Sequence, residues 1–290
     1  MTLEPSVLVS LVLAGVSRGM IYFLLAAGLT LIFGVLRVVN FAHGAFYMLG
    51  MFLCYTIAQS FSFWVAFVTV PVILALCGAL VEFCLFRRVY KADHAIQLLL
   101  SLGLIYIISD VVRLGWGVTP KSLGMVGGLQ GSIRFGGVFV TRYNVFILGL
   151  TLLVAALMFL ILYRTKVGSI VRACTIDYEM TECVGIDVSL VFLVVFMIGV
   201  AIAGIAAVTA SPIATATLGA DVQMIIVAFS LVIIGGVGSV GGALVAALII
   251  GIVESVGVLV LPEFAEIFMY AVVVITLFVR PTGLFGRVVG

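Results

Sequence analysis

The sequence has very little charge. Only 9% of its 290 residues are Asp, Glu, Lys or Arg, whereas 65% are hydrophobic. A soluble domain usually carries about a quarter charged residues and about half apolar ones. A chain this apolar has too few polar side chains to cover a core in water, so its solvent must be lipid. The formal net charge of +2 is too small, and the basic residues are too scattered, to indicate a nucleic-acid partner.

Several kinds of chemical site are missing as well. The five cysteines are an odd number and form no Cys-x-x-Cys pair or Cys/His cluster, so we expect them to be reduced and structural, with no metal site. No glycine-rich loop ends in Lys-Ser or Lys-Thr, which argues against a nucleotide-binding P-loop and against ATP hydrolysis by this chain. The aspartate-rich clusters of lipid-modifying enzymes are absent too. We therefore expect no catalytic residues and no cofactor.

Residues 1–6 carry no basic residue, which does not fit a cleaved signal peptide.

Long apolar runs fill most of the chain. About 20 apolar residues are needed for a helix to cross a hydrocarbon core about 30 Å thick. We therefore predict an all-α polytopic membrane protein with eight or nine transmembrane helices, some broken or re-entrant, in one domain over residues 1–290. The predicted spans are 6–36, 44–58, 63–86, 96–114, 144–163, 189–210, 222–235, 242–261 and 267–279. The first is long for one span, and 222–235 is short.

The basic residues predict which loops face the cytoplasm, because cytoplasmic loops are enriched in Lys and Arg. An even number of predicted spans separates the three main basic clusters, so all three can face the same side. Those clusters are Arg87, Arg88 and Lys91; Arg164, Lys166 and Arg172; and Arg280 and Arg287. Arg37 fits that side, which places the N-terminus outside. The glycine-rich loop 115–143 is then also outside, although it carries three basic residues.

Two polar stretches interrupt the apolar runs. One contains Asn40, Phe41 and His43, and the other, residues 212–217, contains Pro212, Thr215 and Thr217. Irregular backbone at membrane depth survives only where it is buried in protein or lines a water-filled path. We therefore expect both stretches to line or gate a route for a solute, although ordinary surface turns fit the sequence equally well. A single histidine without nearby acids is a weak candidate for a proton relay.

Small residues recur at helical spacing late in the chain. Gly238, Gly242 and Ala246 form one ridge, and a second ridge consists of Ala243, Ala247, Gly251 and Ser255. Such ridges let helices approach closely in lipid, so we interpret them as helix-packing surfaces. Two expectations concern charges within spans. Glu254 needs a partner, because an intramembrane carboxylate is costly, and Asp110 is expected to pair with Arg113 three residues later.

The loop 164–188 is longer than a simple connection requires. Its centre is predicted to form a short amphipathic helix outside the membrane, with Thr175 or Asp177 as N-cap and Gly185 as the stop. A cytoplasmic helix held between two spans is suited to receive force from a soluble motor. The residues that we assign to such coupling are Arg172, Asp177, Glu179, Met180, Glu182 and Gly185.

Four stretches form a recognisable combination: 28–34 (GLTLIFG), 39–44 (VNFAHG), 235–239 (GGVGS) and 280–286 (RPTGLFG). With them the sequence resembles the LivH-type permeases of branched-chain amino-acid ABC importers, and the resemblance extends over nearly the whole chain. Two departures are Ala45 and the stretch 175–177, where the family often has acidic residues.

The resemblance implies a permease subunit in a bacterial inner membrane that carries branched-chain or other apolar amino acids by alternating access. Its implied partners are two ABC ATPase subunits docked on the loop 164–188, a second, LivM-like permease, and a periplasmic substrate-binding protein.

Two alternatives stay open. Relatives of such permeases carry urea or short-chain amides. An ion-coupled secondary transporter would need paired ionisable residues inside the membrane, and His43, Glu82 and Glu254 are a thin set for that purpose.

Overall fold

The computed structural model describes residues 5–90, 92–135, 138–260 and 262–286. Helices dominate this part of the chain, because long apolar runs in lipid must satisfy their backbone hydrogen bonds within the run. The helices are α1 Pro5–Leu36, α2 Ala42–Ser60, α3 Phe63–Val81, α4 Arg87–Val89, α5 His94–Trp116, α6 Arg142–Arg164, α7 Lys166–Ile176, α8 Tyr178–Cys183, α9 Val188–Ala210, α10 Ala220–Gly235, α11 Val240–Val260 and α12 Ala265–Val279. A π-helical turn, Glu82–Phe86, joins α3 to α4.

Six stretches of helix are long and apolar enough to cross a membrane, which confirms a multi-pass membrane protein. They are Val9–Leu36, Phe63–Val89, His94–Trp116, Arg142–Arg164, Val188–Ala210 and Val240–Leu259. The helices α10 and α12 are apolar but shorter, and α2 is a further helix of 19 residues. Each predicted span corresponds to one of these nine helical stretches.

The helix α2 lies at the centre of the molecule. It packs against α3, α5, α9 and α10, its His43 side chain reaches Leu25 of α1, and most of its first half is buried. The helix α1 is also internal, since 89% of its most apolar 18-residue stretch is buried. The corresponding stretches of the spans that contain α3 and α6 are only 22% buried. The fold therefore has an inner group of helices around α1 and α2. The helices α3, α5 and α6 leave large apolar side chains exposed, as a membrane-facing surface does.

Close contact between α1 and α11 depends on glycine. A methyl group on Gly15 would lie 2.7 Å from the carbonyl oxygen of Gly251, and one on Gly251 would lie 2.6 Å from the backbone nitrogen of Gly19. The Ser255 hydroxyl donates to the Leu11 carbonyl at 2.8 Å in the same interface. This is the second predicted ridge, and it faces α1.

The first predicted ridge is not a continuous helical surface. Gly238 precedes α11 and has a φ of 77°, so the interpretation that placed it at helical spacing with Gly242 is wrong. It lies instead against Gly34 at the end of α1. Gly242 contacts Gly235 across the turn between α10 and α11, and Ala246 is fully buried on α11.

Two further expectations differ from the structure. The loop 115–143 contains a two-stranded antiparallel hairpin, β1 Ser132–Phe135 and β2 Val138–Thr141, so the fold is not entirely α-helical. Asp110 and Arg113 are both exposed, and the ion pairs among the described residues do not include this pair.

Candidate functional site

The link between α1 and α2 turns back into the protein. Among the described residues, Arg37 is the only non-glycine residue with a positive φ, 53°, and the helix ends just before it. His43 Nε2 donates to the Leu25 carbonyl at 3.1 Å. Leu25 lies on α1, 12 residues before Arg37, and this separation corresponds to about 18 Å along a helix. The helix α2 therefore begins deep inside the span rather than at its end, as the polar stretch 39–44 indicated.

Two glycines make this re-entry possible. A methyl group on Gly28 would overlap the Gly199 carbonyl oxygen and would lie 3.1 Å from His43 Cε1. One on Gly44 would overlap the Asp221 carbonyl oxygen at the start of α10. Both glycines fall within the stretches on which the family resemblance rests. Their role is to let α1, α2, α9 and α10 meet at the first turn of α2.

Asn40 is a buried polar residue at this junction. Its side chain is 0% exposed, and neither amide atom has a hydrogen-bond partner among the described residues. His43 is equally buried, and its Nδ1 also has no partner there. Phe41 packs on Phe229 of α10, with ring centroids 4.9 Å apart. The junction thus combines free hydrogen-bonding groups with apolar and aromatic walls.

The link between α9 and α10 is irregular, as Pro212 predicted. Pro212 is buried, Thr217 is half-buried and Thr215 is exposed. Ala216 exchanges two backbone hydrogen bonds with Lys121 of the loop 115–143, at 3.0 and 2.9 Å. These hydrogen bonds join the α9–α10 link to the loop 115–143, which is expected to lie outside.

The two predicted gate segments lie at different depths along α2. His43 is in the first turn of α2, whereas Met51 and Tyr55 border the link between α9 and α10 together with Ala214. Eight residues separate His43 from Met51, or about 12 Å along the helix. The hydrogen bonds of the described residues do not join the two segments directly. The two segments therefore lie beside different parts of α2 and do not form one compact site.

The segment after α6 forms two short helices rather than one. The helix α7 was not predicted, and α8 begins where Asp177 indicated: the Asp177 Oδ1 accepts a hydrogen bond from the Met180 backbone N–H at 2.9 Å. Gly185, with a φ of 86°, follows the end of α8. Arg172 lies on α7, where its guanidinium stacks over Tyr163 with 5.4 Å to the ring centroid.

Three exposed apolar side chains on α8 and at its two ends form an apolar strip. The strip consists of Ile176 at the end of α7, Met180 on α8 and Val184 just after α8, which are 77%, 66% and 72% exposed. Glu179 and Glu182 are exposed beside them. Of these three apolar residues only Met180 was expected from the sequence to take part in coupling. An apolar strip flanked by acids, outside the spans, is typical of a protein-binding surface.

Arg37 connects the α1–α2 link to this segment. Its Nη2 donates to the Thr175 carbonyl at 3.0 Å and to the Ile176 carbonyl at 3.4 Å, at the end of α7. A cation favours the C-terminal carbonyls of a helix. The sequence placed Arg37 on the cytoplasmic side without this role, and a contact over 138 residues leaves no local signal.

Three acidic groups of the apolar helices, Glu254, Asp221 and Glu82, have partners. Glu254 on α11 accepts from Arg18 Nη1 at 2.8 Å and from the Tyr22 hydroxyl at 2.9 Å, both on α1. Asp221 accepts from the Ser109 hydroxyl at 2.7 Å. Glu82, in the π-helical turn, accepts from the Tyr90 hydroxyl at 2.7 Å. Among the described residues, no group of three or more His, Cys, Asp or Glu side chains is arranged to hold a metal ion.

These features define a class: a multi-pass transport protein with re-entrant backbone inside the membrane and an exposed helical segment after α6. A family model described as the permease component of a branched-chain amino acid transport system matches residues 11–277. The chain belongs to this family and is a permease subunit of an ABC importer, and no catalytic family is indicated.

Curated relatives agree with this assignment. The chain is 27% identical to the high-affinity branched-chain amino acid transport system permease protein BraD of Pseudomonas aeruginosa and 29% identical to LivH of Escherichia coli K12, with 94% of each chain covered. It is also 27% identical to a probable branched-chain amino acid transport permease LivH of Methanocaldococcus jannaschii, over 91% of this chain and 88% of that protein. No solved structure matches the chain.

Proposed function

We propose that this permease carries branched-chain or other apolar amino acids across a bacterial inner membrane by alternating access. It works with two ABC ATPase subunits, a second, LivM-like permease and a periplasmic substrate-binding protein. Curated relatives from three organisms, all named for branched-chain amino acids, support this substrate class over urea or short amides. Counting α2, α10 and α12 with the six long spans gives nine crossings, with the N-terminus outside.

The exposed strip on α8 is the observation that carries the proposal. Ile176, Met180 and Val184 would enter an apolar groove of an ATPase, and Glu179 and Glu182 would pair with its cations. The strip lies after a predicted span on the side with the most Lys and Arg, which is the cytoplasmic side. An ATPase bound there reaches the spans through α7 and α9, which flank α8.

Movement of this segment has a direct route to the membrane interior. Arg37 holds the last carbonyls of α7, and Arg37 begins the irregular stretch that leads to Asn40. A shift of α7 therefore pulls on the α1–α2 link at its cytoplasmic end. We infer that this contact transmits the movement of α8 to the start of α2.

The route for the solute is inferred to follow α2. The free amide of Asn40 and the Nδ1 of His43 offer hydrogen bonds to the charged ends of a zwitterion, and Phe41 offers an apolar wall. Further out, the link that contains Pro212, Thr215 and Thr217 borders the same helix through Ser211, Ala214 and Ala216. In this conformation Asn40 and His43 are fully buried, so the inner level is closed. Weak contacts at two levels suit a pathway, because a tight site would slow release.

Charge reversal on α8 tests the proposal. The double variant Glu179→Lys/Glu182→Lys should abolish uptake of radiolabelled leucine by the complete transporter in proteoliposomes, because its cations would face cations of the ATPase. Both side chains are exposed, so the melting temperature of the purified permease should stay unchanged.

The matched control is Asp93→Lys, a reversal at an exposed acid before α5 whose side chain caps no backbone group. Uptake by this control should equal that of the wild type. Normal uptake and normal ATPase retention by the α8 double variant would contradict the proposal.

A further inference from the structure

An apolar groove opens where α6 and α7 meet α1 and α9. Its volume is about 290 Å³, and no polar surface lines it. The lining residues are Leu31, Met158, Ile161, Leu162, Val167, Ile170, Val171, Leu190, Val191, Val194, Val195 and Ile198. Several of them are 37–56% exposed, including Ile161, Val167, Leu190 and Val194, so the groove opens on the outer surface of the bundle. It is separate from the α1–α2 link and from the apolar strip on α8.

Three basic residues directly adjoin the lining residues of α6 and α7 in the chain. Arg164 and Lys166 follow the lining residues of α6 by two to four positions, and Arg172 directly follows Val171. Among the described residues none of these three cations forms an ion pair. The Arg172 Nη1 is buried without a partner, although its Nη2 donates to the Ser169 hydroxyl at 3.3 Å. The N-terminus of α7, at Lys166, adds the positive end of a helix dipole to the same place.

The acidic residues of this segment lie elsewhere. From Arg164 to Ile176 the chain has three bases and no acid, and its acids begin at Asp177. The acid closest in sequence to the lining is Asp187, whose Oδ1 is occupied by the Leu190 backbone N–H at 3.1 Å. The residues beside the lining thus carry three positive charges against the single negative charge of Asp187, in contrast to the acidic α8.

We propose that the groove binds an anionic phospholipid, with an acyl chain along α6 and α9 and the phosphate held by Arg164, Lys166 and Arg172. A purely apolar trough that ends in unpaired cations at the membrane surface matches an amphiphile with a negatively charged headgroup. A zwitterionic lipid such as phosphatidylcholine would bring its own quaternary ammonium to these cations together with its phosphate, so it would bind less well. The site does not depend on which solute is carried.

The position of the site gives it a consequence for coupling. The lipid would fill the space between α7 and the spans α6 and α9, and so support α7 at the level where Arg37 holds its last carbonyls. Transport by the complete importer should therefore be faster in bilayers that contain an anionic phospholipid than in phosphatidylcholine alone.

Lipid retention tests the headgroup contacts. The full-length permease is purified in mild detergent from vesicles of equal phosphatidylglycerol and phosphatidylcholine, and its bound lipids are quantified by native mass spectrometry. Each cation near an anionic headgroup contributes a factor of about five, so Arg164→Gln/Lys166→Gln should reduce the phosphatidylglycerol preference about twenty-fivefold. The control, Arg113→Gln, removes an exposed charge on α5 away from the groove and should change nothing. An unchanged preference in the double variant would overturn the proposal.

Photocrosslinking of the wild-type protein tests the groove without any variant. Phosphatidylglycerol with a diazirine in its acyl chain should label peptides that contain residues 158–171 and 190–198, and the same reagent with a phosphatidylcholine headgroup should label them weakly. Equal labelling by both lipids would mean non-selective bilayer contact. Strong labelling of free permease that disappears in the complete importer would mean that a protein subunit covers the groove. Either result contradicts the proposal.

Discussion

The inner helices of this permease are surrounded by other helices, whereas the outer helices expose much of their apolar surface. The most apolar 18-residue stretch of α1 is 89% buried, whereas the corresponding stretches of the spans containing α3 and α6 are 22% buried. All three stretches are strongly apolar. Hydropathy therefore does not separate the two groups. Glycine environment distinguishes the interior of the bundle from α5 and α6: a methyl group on Gly28, Gly44 or Gly251 would strike a neighbouring backbone, but one on Gly103 or Gly149 would meet nothing within 4 Å.

This difference shows where the sequence is constrained by packing and where by lipid. Inner helices pack backbone to backbone, which in lipid supplies much of the driving force for association. Helix surfaces that face lipid need only be apolar. The polar atoms of the re-entrant link, at Asn40 and His43, are tolerated because the inner group shields them from the bilayer.

The largest expected effect is a side chain placed at the inner junction. Gly44→Leu forces a side chain into the Asp221 carbonyl at the start of α10, where backbone cannot yield cheaply. Overpacking costs about 1–3 kcal/mol, and occasionally more, in a packed interior. We expect little monodisperse protein after size-exclusion chromatography. Gly103→Leu on the outer helix α5 should purify at the wild-type yield, and equal losses for both variants would break the comparison between the two groups.

A second effect is expected at Arg37, on transport rather than folding. Arg37→Gln removes the charge that holds the α7 carbonyls, so ATP hydrolysis should continue in the assembled importer while leucine uptake per ATP falls severalfold. Arg88→Gln, at an exposed arginine on α4, is the control for loss of one positive charge and should keep the wild-type ratio. An unchanged ratio in Arg37→Gln would show that the contact transmits nothing.

The smallest effect is expected at the polar contact between α1 and α11. Glu254→Gln weakens its bonds to Arg18 and Tyr22, and polar contacts between membrane helices contribute about 0.6 kcal/mol each on average. We expect a drop of a few degrees in the melting temperature with uptake retained. The exchange Arg18→Glu/Glu254→Arg should restore part of the loss. A complete loss of uptake without loss of stability would assign the pair to the pathway.

The sequence predicted the spans well because apolar run length is a local property. Helix bounds differ from the predicted bounds by a few residues, and the two irregular links lie where Asn40 and Pro212 indicated. The N-cap at Asp177 was also readable, since capping involves only the next three residues.

What the sequence could not predict depends on distant contacts. Nothing local links Arg18 to Glu254, 236 residues away, or Arg37 to Thr175. The helical spacing of Gly238 was misleading, because small-residue periodicity does not show where a turn ends and α11 begins. The helix α7 was missed because its basic residues were read as loop, although Thr165 caps it by accepting from the Gly168 N–H.

Accessibility along α2 tests the central claim most directly. Single cysteines replace Asn40, His43, Ala214 and Thr217 in a background without the native five. Replacing Cys183 matters most for that background, because it is exposed, whereas Cys174 is buried and burial raises the pKa of its thiol.

A water-soluble maleimide should label Ala214→Cys in the resting importer, since this position is exposed, and leave Asn40→Cys and His43→Cys unlabelled, since both are fully buried. Trapping ATP on the partner subunits should change labelling at Asn40 or His43. If those two positions stay unlabelled in every nucleotide state, or label equally in all of them, the solute does not pass beside the start of α2.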